Sequence, residues 1–207
     1  MIVSTAPFEN RFVTDTDWDG YNRFLDAVGE RRIRVTYDGT MVELITPSRR
    51  HEYLKTILST LLECLMDEWD VDFEPGGNTT FKRVLKKKGL EPDECYWIAS
   101  WRETLGQWDA DTMPAPDLAI EVEVSRSVLD RLSIYAALGV PELWRVGEEG
   151  SLSVWCLGDG AYRQCEESPS FPGLPLGLLA EFLGQAGELP ASRLVKSFRQ
   201  ALRESER

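Results

Sequence analysis

The chain has 207 residues, with 35 Asp and Glu against 23 Lys and Arg and a formal charge of −12. Hydrophobic residues make up 43% of it and aromatics 10%, so general disorder is excluded, and the length suffices to bury one core without disulfides. The acidic excess argues against a protein that grips nucleic acid through its overall charge, so any such function needs a local basic patch or metal ions. No apolar run approaches the roughly 20 residues of a membrane span, and the first residues lack the basic and apolar regions of an export signal. A cytoplasmic protein with no membrane partner is the expectation.

Residues 1–16 read as an N-terminal arm, 17–180 as one domain, and 181–207 as a helical extension packed on it. Trp18, Tyr21, Phe24, Leu25 and Val28 give residues 18–28 the apolar stripe of a short helix. A hairpin follows over 33–45, turning at Asp38-Gly39, a dipeptide that tolerates the positive φ angles of a tight turn. Ser48 can cap the clearest helix, whose Leu54, Ile57, Leu58, Leu61, Leu62, Leu65 and Trp69 repeat at helical spacing. His51, the one histidine, falls in its first turn and reads as a surface residue near the cap.

Residues 73–90 end in a basic run, Lys82, Arg83, Lys86, Lys87 and Lys88. It is either a solvated strand end and loop or a local patch for a phosphate backbone. Residues 91–98 read as a strand entered through Pro92-Asp93, and a loop carrying Trp101 and Trp108 follows. The strand 117–124 is sharper. Period-2 geometry sends Leu118, Ile120, Val122 and Val124 to one face and Asp117, Ala119, Glu121 and Glu123 to the other. A helix from about Ser127 to Leu138 is ended by Gly139 and Pro141. Strands over 142–146, 152–157 and 161–165 and a last helix from Pro190 to Ser205 complete an α/β order. It predicts a central mixed sheet flanked by helices, with antiparallel hairpin extensions.

The four cysteines form no C-x-x-C pair and read as buried reduced thiols rather than a zinc site. No G-x-S-x-G, Walker A or G-x-G-x-x-G motif is present. Carboxylates on a covered strand repel one another unless a cation or an Arg or Lys neutralises them. A divalent metal, with Asp93 as a further ligand, would do so, and metal-assisted attack of water on a phosphodiester would be the reaction class.

In order, Asp38-Gly39, Val42-Glu43, Thr46-Pro47-Ser48, His51, Pro92-Asp93, Pro116-Asp117-Leu118-Ala119-Ile120-Glu121-Val122, Tyr135-Ala136 and Gly139-Val140-Pro141-Glu142-Leu143-Trp144 resemble the bacterial family called "putative restriction endonuclease". That family lies in the PD-(D/E)XK nuclease superfamily, and the similarity runs from Tyr21 to Leu179, taking in Phe171-Pro172-Gly173-Leu174. The resemblance implies a restriction-endonuclease-like fold and a DNA endonuclease, dependent on Mg2+ with Mn2+ as substitute. It implies Asp93 and Glu121 as metal ligands, Asp117 as a recurrent position on the same strand, and Glu43, His51 and Glu123 as accessory residues. The family's usual lysine, four residues before the tyrosine, is Arg131 here, and Glu123 stands where the parent motif has a base. Arginine stays protonated, which implies a weakened activity. Arg131 either stabilises charge in the transition state or pairs structurally with Glu121 or Glu123. The alternative function is a non-catalytic member acting as a homodimer or protein-interaction module; a hydrolase on another substrate is a third.

Overall fold

The computed structural model describes residues 2–5, 9–83, 86–109, 112–124 and 127–205, and of residues 2–5 and 83 the backbone alone. Two six-stranded sheets carry the architecture. The first is wholly antiparallel and contains β1 (Ile2–Thr5), β2 (Asn10–Asp15), β3 (Arg34–Tyr37), β4 (Met41–Thr46), β6 (Phe81–Arg83) and β7 (Lys88–Leu90), in the spatial order β1-β2-β4-β3-β7-β6. The second is mixed. It contains β5 (Glu74–Pro75), β8 (Glu94–Trp97), β9 (Leu118–Glu123), β10 (Glu142–Gly147), β11 (Leu152–Gly158) and β12 (Ala161–Cys165), in the order β12-β11-β10-β9-β8-β5. Among the described residues its one parallel pair is β9 with β10, joined through the helix α4 (Arg131–Leu138), while the short α3 (Trp101–Thr104) follows β8.

Strand β9 organises the molecule because its two faces meet two cores. Leu118, Ile120 and Val122 pack with Tyr96, Trp144 and Val154 against α2 (Arg49–Glu68), α5 (Leu176–Gly184) and α6 (Ala191–Ser205). Ala119 turns the other way, with Cys95, Trp97 and Leu143, onto Ile134, Tyr135 and Leu138 of α4 and Phe81 and Leu90 of the antiparallel sheet. A third cluster seats α1 (Trp18–Val28) on Val35, Tyr37 and Val42. The alternation expected for the strand is therefore present, although its second face is only partly polar.

Local chemistry sets the helix ends. Asp17 accepts a hydrogen bond from Gly20 N at 2.7 Å, Ser48 from His51 N at 3.1 Å, and Asp130 from Ser133 N at 3.3 Å, each satisfying an orphan amide of a first turn. Gly139 ends α4 at φ +84°, where a side chain would be strained.

Four expectations change. The stretch 1–16, expected as an arm, supplies β1 and β2, and β2 pairs with β4 over its whole length. The helix expected from Ser127 begins at Arg131, because Ser127 Oγ and Val128 N are turned outward onto Glu43. The helix α5 was not foreseen, since Pro172, Pro175 and Gly177 punctuate that stretch like a loop. Cys64 and Cys95 are buried and free as expected, whereas Cys156 and Cys165 form a disulfide across β11 and β12. No described helix is long and apolar enough to cross a membrane.

Candidate active site

The site forms where the mixed sheet meets the antiparallel one. Glu94 pairs with Ile120 and Cys95 with Ala119, so continuing the antiparallel register by one residue sets Asp93 directly across from Glu121. Residues opposite one another in this way have Cβ atoms about 5 Å apart and share a face. Both carboxylates line one pocket of about 40 Å³ with Arg34, His51 and Arg131. They are deeply placed, Asp93 1% exposed and Glu121 6%.

Asp93 is fixed by its own strand partner. Its N–H bonds to Ile120 O at 3.0 Å, and Oδ2 accepts from Val122 N at 2.5 Å. Arg34 Nη1 lies against Oδ1, and His51 Nε2 is 3.0 Å from Oδ2. Glu121 Oε1 accepts from Arg131 Nη2 at 2.5 Å and from the Tyr135 hydroxyl, while among the described residues Oε2 receives nothing. Arg131 and Tyr135 are four apart on α4 and so reach from one helix face. The Arg131 guanidinium is clamped further by Thr36 Oγ1 at 2.7 Å and Glu91 O at 3.1 Å.

Burial works against the charge on Arg131, but the Glu121 carboxylate and the bond to it outweigh that and hold the arginine above its ordinary value. Burial, then Glu121, pushes the Tyr135 phenol well up. Arg34 is pulled down by burial and partly restored by Glu121 and Glu52. Burial, followed by the charges of Arg34, Arg131 and Lys55, takes His51 down to about 3, so its ring is neutral near pH 7 even beside Asp93.

His51 is thus not a surface residue. The start of α2 is tucked against β3, and the His51 side chain is 7% exposed. Glu43 is fully buried behind Arg11 and Ser127, which line the pocket, and it accepts from Arg11 at 2.9 Å, Ser127 Oγ at 2.7 Å and Val128 N at 3.0 Å, so it ties β2 and β4 to the approach of α4. Glu123 reaches the same pocket but pairs with Arg145 at 2.5 Å. Asp117 does not line the pocket. Its Oδ2 accepts from Ile98 N, Ser100 N and Ser100 Oγ at 2.7–3.0 Å, which secures the loop after β8. Lys82 lines a separate cleft beside Leu25 and Asp109, Lys86, Lys87 and Lys88 lie at the β6–β7 hairpin, and the Arg83 side chain lies outside the described residues. None of the described lysines of that run reaches the carboxylate pocket.

Arg34 was not singled out from sequence, and Tyr135 was read as part of the family pattern but not as a site residue. A signal for Arg34 existed: it alternates with Thr36 on the polar side of β3, opposite Val35 and Tyr37 in the α1 cluster, and both are buried. Among the described residues no three His, Cys, Asp or Glu side chains gather as a metal-ligand group.

The family described as "Uma2: Putative restriction endonuclease" matches residues 18–183. Among solved structures the chain is similar to a "putative nuclease belonging to DUF820" from Anabaena variabilis ATCC 29413, at 16% identity and a TM-score of 0.52. That likeness covers 86% of this chain and 98% of the other, and it shows a shared fold. No curated protein matches.

Proposed function

The chain belongs to the Uma2 family, and from that premise we propose that it hydrolyses phosphodiester bonds in DNA with a divalent cation held by Asp93 and Glu121. The observation carrying this reading is the convergence of two deeply buried carboxylates, from adjacent antiparallel strands, on one small pocket that also holds a clamped guanidinium.

The residues fit a small hard cation. Mg2+ keeps several waters and is bound through one or two carboxylates plus substrate oxygens, so a pair suits it better than a cage would. Glu121 Oε2 takes no hydrogen bond among the described residues, whereas Asp93 Oδ1 lies against Arg34 Nη1, so a cation at Asp93 requires that guanidinium to move aside. When bound, the cation supplies Lewis-acid polarisation of the phosphoryl group and a more acidic water.

The chain's own residues have separable tasks. Val122 N orients Asp93, and the Tyr135 hydroxyl orients Glu121. Arg131 cannot take a proton, but its fixed positive charge stabilises negative charge that builds on the phosphoryl oxygens. The neutral His51 ring adds no charge to repel a cation at Asp93. Glu43 acts through Ser127 and Val128, setting where α4 begins and hence where Arg131 stands.

A second reading has its own observation. Arg34 on Asp93 and Arg131 on Glu121 already neutralise both carboxylates, which suits a non-catalytic member that acts as an interaction module. Nicking of supercoiled plasmid in Mg2+ or Mn2+ separates the two. Catalysis predicts cleavage by the wild type, lost in Asp93→Asn and in Glu121→Gln variants that circular dichroism shows to be folded. It also predicts a metal-induced rise in melting temperature, since ligand at 100 times Kd stabilises by about 2.7 kcal/mol. No cleavage and no shift in the wild type would establish the second reading.

A further inference from the structure

Next to the carboxylate pocket, and sharing Arg34 and Pro47 with it, lies a wider cleft of about 520 Å³. Five cations line it: Arg31, Arg32, Arg34, Arg49 and Lys55. The acids on the same walls are Glu52 and Glu91, so the lining carries a formal excess of three positive charges in a chain whose total is −12. Resting on the reading of the chain as a nuclease, we propose that this cleft holds the DNA phosphates flanking the scissile one, with Arg31, Arg32 and Arg49 making the contacts.

The geometry favours this cleft over the lysine run. Arg31, Arg32 and Arg49 are exposed, and neither Arg32 nor Arg49 has an ion-pair partner among the described residues. Their charges are therefore free to meet a polyanion. The acids are less available than they look: Glu52 accepts from Arg34 at 3.1 Å, and Glu91 accepts from Thr80 Oγ1 at 3.0 Å. Arg34 forms the passage. It is buried, it touches Asp93 on one side, and it lines the basic cleft on the other, so a strand lying in the cleft passes directly to the carboxylate pair. Asn78 adds a neutral donor on the same wall.

The lysine run sits elsewhere. Lys87 O comes within 3.5 Å of where a Gly39 Cβ would be, which puts the β6–β7 hairpin at the turn end of β3, while Arg34 is at the other end. Five residues of strand separate the two positions, on the order of 15 Å at the usual rise. Phosphate contacts of this kind fix position and strengthen binding without reading sequence, and they leave a salt signature. Each contact released lowers the slope of log affinity against log salt by about one.

The experiment is fluorescence anisotropy of a short labelled DNA duplex with the full chain in EDTA, titrated at several salt concentrations. The triple variant Arg31→Gln, Arg32→Gln, Arg49→Gln is compared with Lys86→Gln, Lys87→Gln, Lys88→Gln, which removes the same charge from the other surface. The cleft variant should bind at least about tenfold more weakly at low salt, with a slope shallower by about 2–3. The lysine variant should bind like the wild type. Equal binding by the cleft variant, a greater loss in the lysine variant, or no binding by the wild type each overturns the proposal. Plasmid nicking keeps the two claims apart. A wild type that binds through the cleft but never cleaves removes the nuclease reading and leaves the cleft standing. Cleavage that persists, with binding unchanged, in the cleft variant removes the cleft alone.

Discussion

Replacing Glu121 by Gln isolates the ion pair at the centre of the site. The carboxylate and the Arg131 guanidinium are 2.5 Å apart, with side chains 8% and 13% exposed. Removing one charge of such a pair leaves the other buried, which costs about 3–5 kcal/mol. The amide oxygen of Gln can still accept from Arg131 and Tyr135, and Thr36 and Glu91 O still hold the guanidinium, so about 3 kcal/mol is expected. For a chain of this length that corresponds to a fall in melting temperature of roughly 6–12 °C. The melt is run in EDTA, so that metal linkage does not enter. Adding Arg131→Met to Glu121→Gln removes the stranded charge, and the double variant should recover at least half of the loss, giving a measurable coupling term. A single variant that melts with the wild type, or a double variant whose loss equals the sum of the singles, refutes the claim that the two charges hold one another.

Three further outcomes follow from individual contacts. Arg131→Lys keeps a cation on Glu121 but introduces an amine that can release its proton, so cleavage should exceed the wild-type rate and climb toward alkaline pH; a slower, pH-independent rate rejects Arg131 as a substitute for a lysine. Burial raises Glu91, so the folded chain holds that proton more tightly than the unfolded one, and stability contributed by the protonated form is lost as pH rises through the raised value. Glu91→Gln should therefore melt like the wild type below about pH 4, the ordinary carboxylate value, and above it at pH 7, with the opposite trend counting against the burial argument. Gly76→Ala would put a Cβ 2.4 Å from Cys95 Sγ and 2.7 Å from Trp97 Cζ3, both buried, and should cost about 1–3 kcal/mol in urea unfolding.

The parts of the site that were legible in the sequence are those fixed by local rules. The Asp38-Gly39 turn, the Ser48 cap and the alternation along β9 each depend on residues within a few positions, and each is present. Asp93 and Glu121 face one pocket for the same reason, since strand register and period-2 geometry place them. What was illegible is non-local. His51 reads as a helix-cap surface residue until β3 is known to lie against it, and the alternation of Arg34 with Thr36 gains meaning only once the antiparallel sheet packs that face inward. Ser127 and Val128 have helical periodicity with the residues after them, but a buried carboxylate 84 residues earlier captures Ser127 and delays the helix. Asp117 shows the converse. Its strand position is correct, yet the loop it serves, at Ile98 and Ser100, lies on another element.

On the proposed nuclease reading, the charges around the pocket set the condition on which a cation could enter it. Its lining carries Glu9, Asp93, Glu121 and Glu123 against Arg11, Arg34 and Arg131, with His51 uncharged, a formal excess of one negative charge. A lone divalent cation would invert that excess and compete with two guanidiniums already seated on its ligands. A phosphodiester arriving with the cation brings one negative charge and restores neutrality, and it also gives the displaced Arg34 an anion to contact at the mouth of the basic cleft. In this arrangement cation and substrate each improve the other's binding, and by linkage the improvement is equal in both directions. On that reading the arginines act less as a block on the site than as a condition on it, since metal alone binds when supplied in excess and substrate tightens that binding.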